Sequence, residues 1–254
     1  MSLEAVDADI RAAFELHRSR ILQLKQNCLA KLFEILEVSP DTTDPEELEL
    51  VWYEEWAGSG RLPNTIKSGS DFKHLIDDDG TKPPLPQEQR LQIFTEIEAM
   101  LKDRAILETD PLTLPEDFKQ LCALTESLTG PGIGNTNCGI PHAFDGASGP
   151  LASLKFPLEQ EYLVNAVGLW CLDYETSVML TMGDVHSCAG GGTWLCWCKH
   201  DCSDDWKWRW VTRHGYEQPP YIYEDVRDLL ERYWKTYLNV LQAVYGEDMG
   251  QDGL

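Results

Sequence analysis

From Glu161 to Arg213 the apolar residues fall in short runs, EYLVNAVGLWCLDY, SVMLTMGD, TWLCWCKH and WKWRWVTR, divided by turn-forming residues. Short apolar or alternating runs between turns predict consecutive antiparallel strands. On either side of this region the apolar residues recur every three or four positions instead, the period of a helix. Helices, then a meander, then a helix make an α+β plan: an antiparallel meander sheet flanked by helices, with a helical N-terminal extension.

The helical segments have readable faces and ends. Ile10, Phe14, His17, Ile21, Leu24, Cys28, Leu32 and Ile35 align on one face, and Ser39-Pro40 is the expected stop, because a residue before proline resists helical dihedrals. His17 on that stripe reads as a packed histidine. Asp44 is a cap, Pro45 suits the first helical position, and Glu47 completes a capping box for a second helix carrying Trp52 and Trp56. A third helix carries Leu91, Phe94, Ile97 and Leu101. A fourth begins at Pro115-Glu116-Asp117, buries Phe118, Leu121, Cys122 and Leu128, and stops at Gly130-Pro131. The last helix runs from Glu224, with Val226, Leu229, Leu230, Tyr233, Trp234, Tyr237, Leu238 and Leu241 facing the core. Residues 1–85 are read as a helical extension with an acidic loop, 86–245 as the α+β domain, and 246–254 as a flexible acidic tail. The DDDG run, Asp77–Gly80, lacks the alternating ligands and distal glutamate of a calcium loop and reads as a solvated turn.

Charge narrows the partners. Forty-three acidic against 21 basic residues leave a formal charge of −22. Such a field repels nucleic acid and anionic membrane and favours a basic partner. The MSLEAVDADIRAAFELHRSR start has neither a basic flank nor an apolar signal core, so a cytoplasmic location is expected, with the eight cysteines as free thiols.

The densest chemistry is GGGTWLCWCKHDCSDDWKWRW, Gly190–Trp210. In a strand, Cys196 and Cys198 face one side with Trp194, while Leu195 and Trp197 face the other. Both sides are apolar, which fits a strand buried on both faces and structural cysteines. Cys196, Cys198, His200 and Cys202 supply four zinc-type donors, but no C-x-x-C turn gathers them, and side chains two apart on a strand sit about 7 Å apart. His186, Cys188 and His200 are the thiol–imidazole candidates for catalysis, in acidic surroundings that raise a thiol pKa. Trp206, Trp208 and Trp210 alternate with Lys207 and Arg209. This pattern can bind single strands of nucleic acid, but under this net charge it reads as core tryptophans with lysine and arginine paired to acids.

Taken in order, LPEDFKQL, SLTGPGIG, a strand ending GLWCLDYET, the WKWRW strand and the closing helix YEDVRDLLERYW resemble the SUKH superfamily. These are the Smi/Knr-type fungal cell-wall regulators and the related bacterial toxin-immunity proteins. The resemblance covers residues 86–245, and Pro115, Phe118, Gly130, Trp170, Trp208 and Trp234 stand where its structural signature does. It implies a non-catalytic α+β interaction fold without a cofactor, whose bacterial members neutralise toxins and whose fungal members act as signalling or cell-wall-synthesis hubs. The cysteine-rich segment Cys188–Cys202 departs from that pattern. The expectation is therefore an acidic interaction module binding a basic protein through sheet and loops, with Asp77, Asp78, Asp79, Asp204, Asp205, Lys207 and Arg209 on the binding surface. The alternative is a small-molecule enzyme or metal-dependent protein built on the His/Cys cluster 186–202. A heptad-like first helix leaves the oligomeric state open.

Overall fold

The computed structural model describes residues 6–56, 62–76, 79–105, 111–129, 139–140, 154–155, 173–184, 192–213 and 220–245. The chain divides into two compact units. The first takes Met1–Phe14, Lys82–Leu128 and Gly139–Leu230, and the second takes Glu15–Thr81, Thr129–Cys138 and Glu231–Leu254.

The second unit is mostly helical among its described residues. Helix α1 (Ala8–Ile35) carries the expected stripe of buried Ile21, Leu24, Cys28 and Leu32, which Leu29 and Phe33 widen. Ile35, expected on the same face, is exposed. Cys28, Leu29, Leu32 and Phe33 pack with Val38, with Leu48, Val51 and Trp52 of α2 (Pro45–Trp56), and with Ile66, Phe72 and Ile76, while Ile21 and Leu24 pack with Trp234. His17 is buried, its ring 6.1 Å from that of Tyr233.

Helix α1 ends before the Ser39-Pro40 stop. The Val38 N–H donates to the Phe33 carbonyl and the Glu37 N–H to that of Glu34, at 3.0 and 3.1 Å. Those two bonds, with Glu37 at φ 55°, form a Schellman cap, and the Val38–Phe33 apolar contact that accompanies such a cap lies in the core. A left-handed backbone suits glycine better than glutamate. Glu37→Gly is therefore expected to stabilise this unit by about 0.5–1 kcal/mol, read as a higher urea midpoint at unchanged slope.

The start of α2 differs from a simple capping box. Asp44 Oδ1 accepts from the Glu46 N–H at 2.9 Å, as a cap should. Glu47, however, accepts from the Thr42 hydroxyl, and the Thr42 oxygen accepts from the Asp44 N–H at 3.1 Å. Thr42 thus relays the bond that Glu47 was expected to make directly. Gly69 N–H donates to the Thr42 carbonyl at 2.8 Å, and a Cβ at Gly69 would collide with the Pro40 carbonyl oxygen, so only glycine fits there.

The first unit is built on one antiparallel meander. Strands β3 (Leu154–Lys155), β4 (Tyr174–Asp184), β5 (Gly192–His200), β6 (Lys207–Arg213) and β7 (Tyr221–Tyr223) lie side by side in chain order. The α+β class is thus the architecture of this chain. Strand β7 follows Pro219-Pro220 and has no counterpart in the sequence reading, while EYLVNAVGLWCLDY lies outside the described residues up to Cys171-Leu172. A separate short ladder joins β1 (Leu128–Thr129) to β2 (Gly139–Ile140).

Two helices cover one face of the meander. The row Leu180, Leu195, Trp210 and Tyr223 runs across four strands, every member buried. Phe118 of α4 (Glu116–Leu124) lies 6.0 Å from Trp210 and 6.1 Å from Phe94 of α3 (Gln87–Arg104). On α3, Phe94, Ile97 and Leu101 are buried as expected, but Leu91 is exposed. Helix α4 ends at Leu124 instead of continuing to Gly130. Thr125 turns extended, with its hydroxyl 2.8 Å from the Lys82 carbonyl oxygen and 2.6 Å from that of Ser127, and Leu128 is buried from a strand. Helix α5 (Val226–Tyr245) begins two residues after the expected Glu224, with Asp225 Oδ1 accepting from the Asp228 N–H. Asp117 ties the two helix starts together: its carboxylate accepts from the Phe118 and Val226 N–H groups at 2.8 and 2.9 Å. Among the described residues no helix is long and apolar enough to cross a membrane.

Candidate functional site

The candidate residues concentrate where β5 and β6 meet. On one face, Cys196 and Cys198 are buried with Met179 and Val211, flanked by half-buried Tyr174, Trp194 and Ile222. The register sets Cys196 against Arg209 and Cys198 against Lys207. Arg209 is itself buried: its Nη1 donates to the Cys198 carbonyl at 2.7 Å and lies 3.9 Å from the Cys198 sulfur. The Nε donates to the Glu224 carboxylate at 3.2 Å, and the guanidinium sits 5.3 Å from the Tyr174 ring centroid. Lys207 reaches the same carboxylate at 2.7 Å.

This setting is wrong for a nucleophilic thiol. Burial pushes the Cys198 thiol up to about 11, and the Arg209 contact offsets only part of that. His200, at the end of β5, stacks edge-on with Tyr174 at 5.1 Å, and its Nδ1 accepts from the Cys202 N–H at 3.1 Å. Cys202 is exposed in the following turn. Among the described residues, these four included, no three His, Cys, Asp or Glu side chains gather as a metal would require. His186 and Cys188 lie outside the described residues, as do Asp77 and Asp78.

Asp79 belongs to the other unit and is engaged there. Its carboxylate accepts from the Thr81 hydroxyl at 2.6 Å and from the Arg18 Nε at 2.6 Å. Burial acts to raise its pKa, but the Thr81 and Arg18 bonds outweigh it and hold the carboxyl below its ordinary value. An acid so occupied serves the fold before it serves a partner.

The turn between β5 and β6 is hydrogen-bonded and acidic. Ser203 N–H donates to the His200 carbonyl at 2.8 Å, Asp205 N–H to the Ser203 hydroxyl at 3.0 Å, and Asp201 N–H to the Asp173 carbonyl at 2.7 Å. Asp201, Asp204 and Asp205 are left exposed. Beside them the other face of the strands forms a groove of about 580 Å³, lined by Trp197, Trp206 and Trp208, by Asp204 and Asp205, and by the Pro111–Pro115 segment. Trp197 and Trp208 are cross-strand partners whose rings meet edge-on at 5.6 Å. The Trp208 indole N–H donates to the Thr113 carbonyl at 3.2 Å, which fixes both the ring and the proline wall.

The structure thus places Asp204, Asp205 and Lys207 at one end of the sheet, and puts Arg209 beneath the surface. The Pro111–Pro115 wall was not foreseen. The proline-bounded run Pro111–Pro115 was its only mark in the sequence, and Leu112 within it is exposed. Comparison of the chain with protein-family models, with curated proteins and with solved structures finds no match.

Proposed function

We propose that this chain is a non-catalytic, acidic interaction module of the SUKH type that binds a basic protein partner in the cytoplasm. The observation that carries the reading is the hydrogen-bonded β5–β6 turn, which holds Asp201, Asp204 and Asp205 exposed at one end of the sheet. A fixed array of like charges gains on-rate and specificity against an oppositely charged surface, at little ordering cost. The formal charge of −22 extends that attraction over the chain. The order of helices, meander and closing helix agrees with the SUKH resemblance, under which the partner is a toxin with a basic cleft or a component of a signalling or cell-wall-synthesis assembly.

The test is capture of partners by the purified full chain at low and at high salt, followed by Asp201→Asn/Asp204→Asn/Asp205→Asn as bait. One stoichiometric basic partner, released by salt and weakened by the triple variant, is the expected result. Partners held equally at both salt concentrations, or none at all, would overturn the reading.

A further inference from the structure

We infer that the tryptophan groove of the sheet unit seats a basic side chain of an extended partner segment, its guanidinium or ammonium over the Trp206 indole and between the carboxylates of Asp204 and Asp205. The inference rests on the acidic-module reading and names its point of contact. Cations already stand against the groove's Trp206 ring and its acids, from side chains outside the groove lining. Lys199 places its ammonium 5.5 Å from the Trp206 ring centroid and 3.8 Å from Asp204, and Lys207 stands 3.8 Å from Asp205. An indole face beside a carboxylate is the chemistry that binds a desolvated cation.

Those internal cations are exchangeable. Each has a nearer carboxylate outside the groove, Lys199 at 3.1 Å from Glu175 and Lys207 at 2.7 Å from Glu224. An incoming guanidinium can therefore take Trp206, Asp204 and Asp205 while both lysines stay paired. Arginine suits the place better than lysine, since its planar head stacks on the ring and still presents hydrogen-bond donors in its plane to both acids. The Pro111–Pro115 wall offers apolar surface to the aliphatic stem, with the half-exposed Leu112 at its edge.

A second acidic groove competes for the role. In the helical unit, about 970 Å³ is lined by Glu46, Glu49, Trp52, Tyr53 and Pro63. There Trp52 is buried in the core, and the ring at the surface is a single tyrosine. Lys67 lines that groove, but no cation lies over the Tyr53 ring among the described contacts. The sheet groove is the better built of the two.

The experiment titrates a capped tetra-arginine peptide, and its uncharged tetra-citrulline counterpart, into the full chain by calorimetry at about 0.15 M salt, where only close charges still count. Tetra-arginine is expected to bind and tetra-citrulline not. Trp206→Ala should weaken binding about fivefold and Asp204→Asn/Asp205→Asn about tenfold, the worth of one cation–π contact and of two exposed carboxylates. The asparagine pair is on the surface, so it tests the groove even if the tryptophan variant fails to fold. Glu46→Gln/Glu49→Gln should change affinity less than about twofold. Tetra-arginine binding that survives both groove variants, or that is lost in Glu46→Gln/Glu49→Gln, would overturn the groove and leave the acidic-module reading standing. Failure of the native chain to bind tetra-arginine also overturns the groove, and the salt-sensitive capture experiment then decides the module reading separately.

Discussion

Trp210→Ala is expected to cost about 3–5 kcal/mol, a large share of the stability of an ordinary domain. Trp210 is 1% exposed and stands in the middle of the buried row Leu195–Trp210–Tyr223, with Phe118 of α4 on its outer side and Phe94 of α3 beyond that. Removing the indole opens a cavity under α4, whose start Asp117 pins to that of α5, so the site has little freedom to collapse. Trp208, two residues earlier on the same strand face, supplies the control. Its ring lines the open groove, and Trp208→Ala should cost about 1–2 kcal/mol, mostly through the lost bond to Thr113 and part of its apolar contact. Urea unfolding followed by far-ultraviolet circular dichroism measures both. Equal costs for the two variants would mean that the meander and α4 do not share one core.

How much of this was legible depends on the range of the interaction. The change of period near Ser177 was readable because it is local, as was the two-faced burial of β5, where Leu195 and Cys196 are both apolar and both buried. Strand β7 was not. Three residues of YIY after two prolines carry no period, and they become a strand only because Trp210, Val211 and Thr212 offer them an edge. The α2 cap was half readable: Asp44 followed its usual rule, but nothing in TTDPEE says that Thr42 and not Asp44 would meet Glu47. Long-range pairings were invisible. Asp79 lies within a run of three identical acids, and its contact with Arg18 spans 61 residues. The groove joins tryptophans that stood out in the sequence to a wall 95 residues away, through the bond from Trp208 to Thr113. Arg209 illustrates the same limit from the other direction. Alternation with tryptophan marked it as a surface base, whereas Cys198, Tyr174 and Glu224 surround it.

That burial makes Arg209 the second sensitive position. Arg209→Met keeps most of the volume but leaves the Cys198 carbonyl without its donor, and an unsatisfied buried acceptor costs about 1–3 kcal/mol. With the lost contacts to Glu224 and Tyr174, the total expected is about 2–4 kcal/mol. Arg209→Lys should fall between, because one ammonium cannot reach the carbonyl and the carboxylate in the arginine's fork geometry. Glu224→Gln should cost less than about 1 kcal/mol, since that carboxylate is half exposed. A Glu224→Gln cost equal to that of Arg209→Met would place the energy in the ion pair and overturn this assignment. The pH dependence separates the parts further. Burial tends to raise the Glu224 pKa, but Lys207 and Arg209 outweigh it and hold the folded value below the unfolded one. Its contribution is therefore present above the ordinary glutamate pKa and is lost as pH falls through the lowered one, and Arg209→Met should shrink that acid limb to the part Lys207 still supplies. Cys198 acts at the other end. Its folded pKa, near 11, lies above the ordinary thiol range, so stability holds below that range and declines by about 2–3 kcal/mol as pH rises toward 11. The alkaline decline should persist in Arg209→Met, because burial and not the guanidinium is its cause. Urea midpoints of native chain and variant across pH 4–10 would show one limb changing and the other staying; loss of both together would mean that the variant has opened this face of the sheet to water.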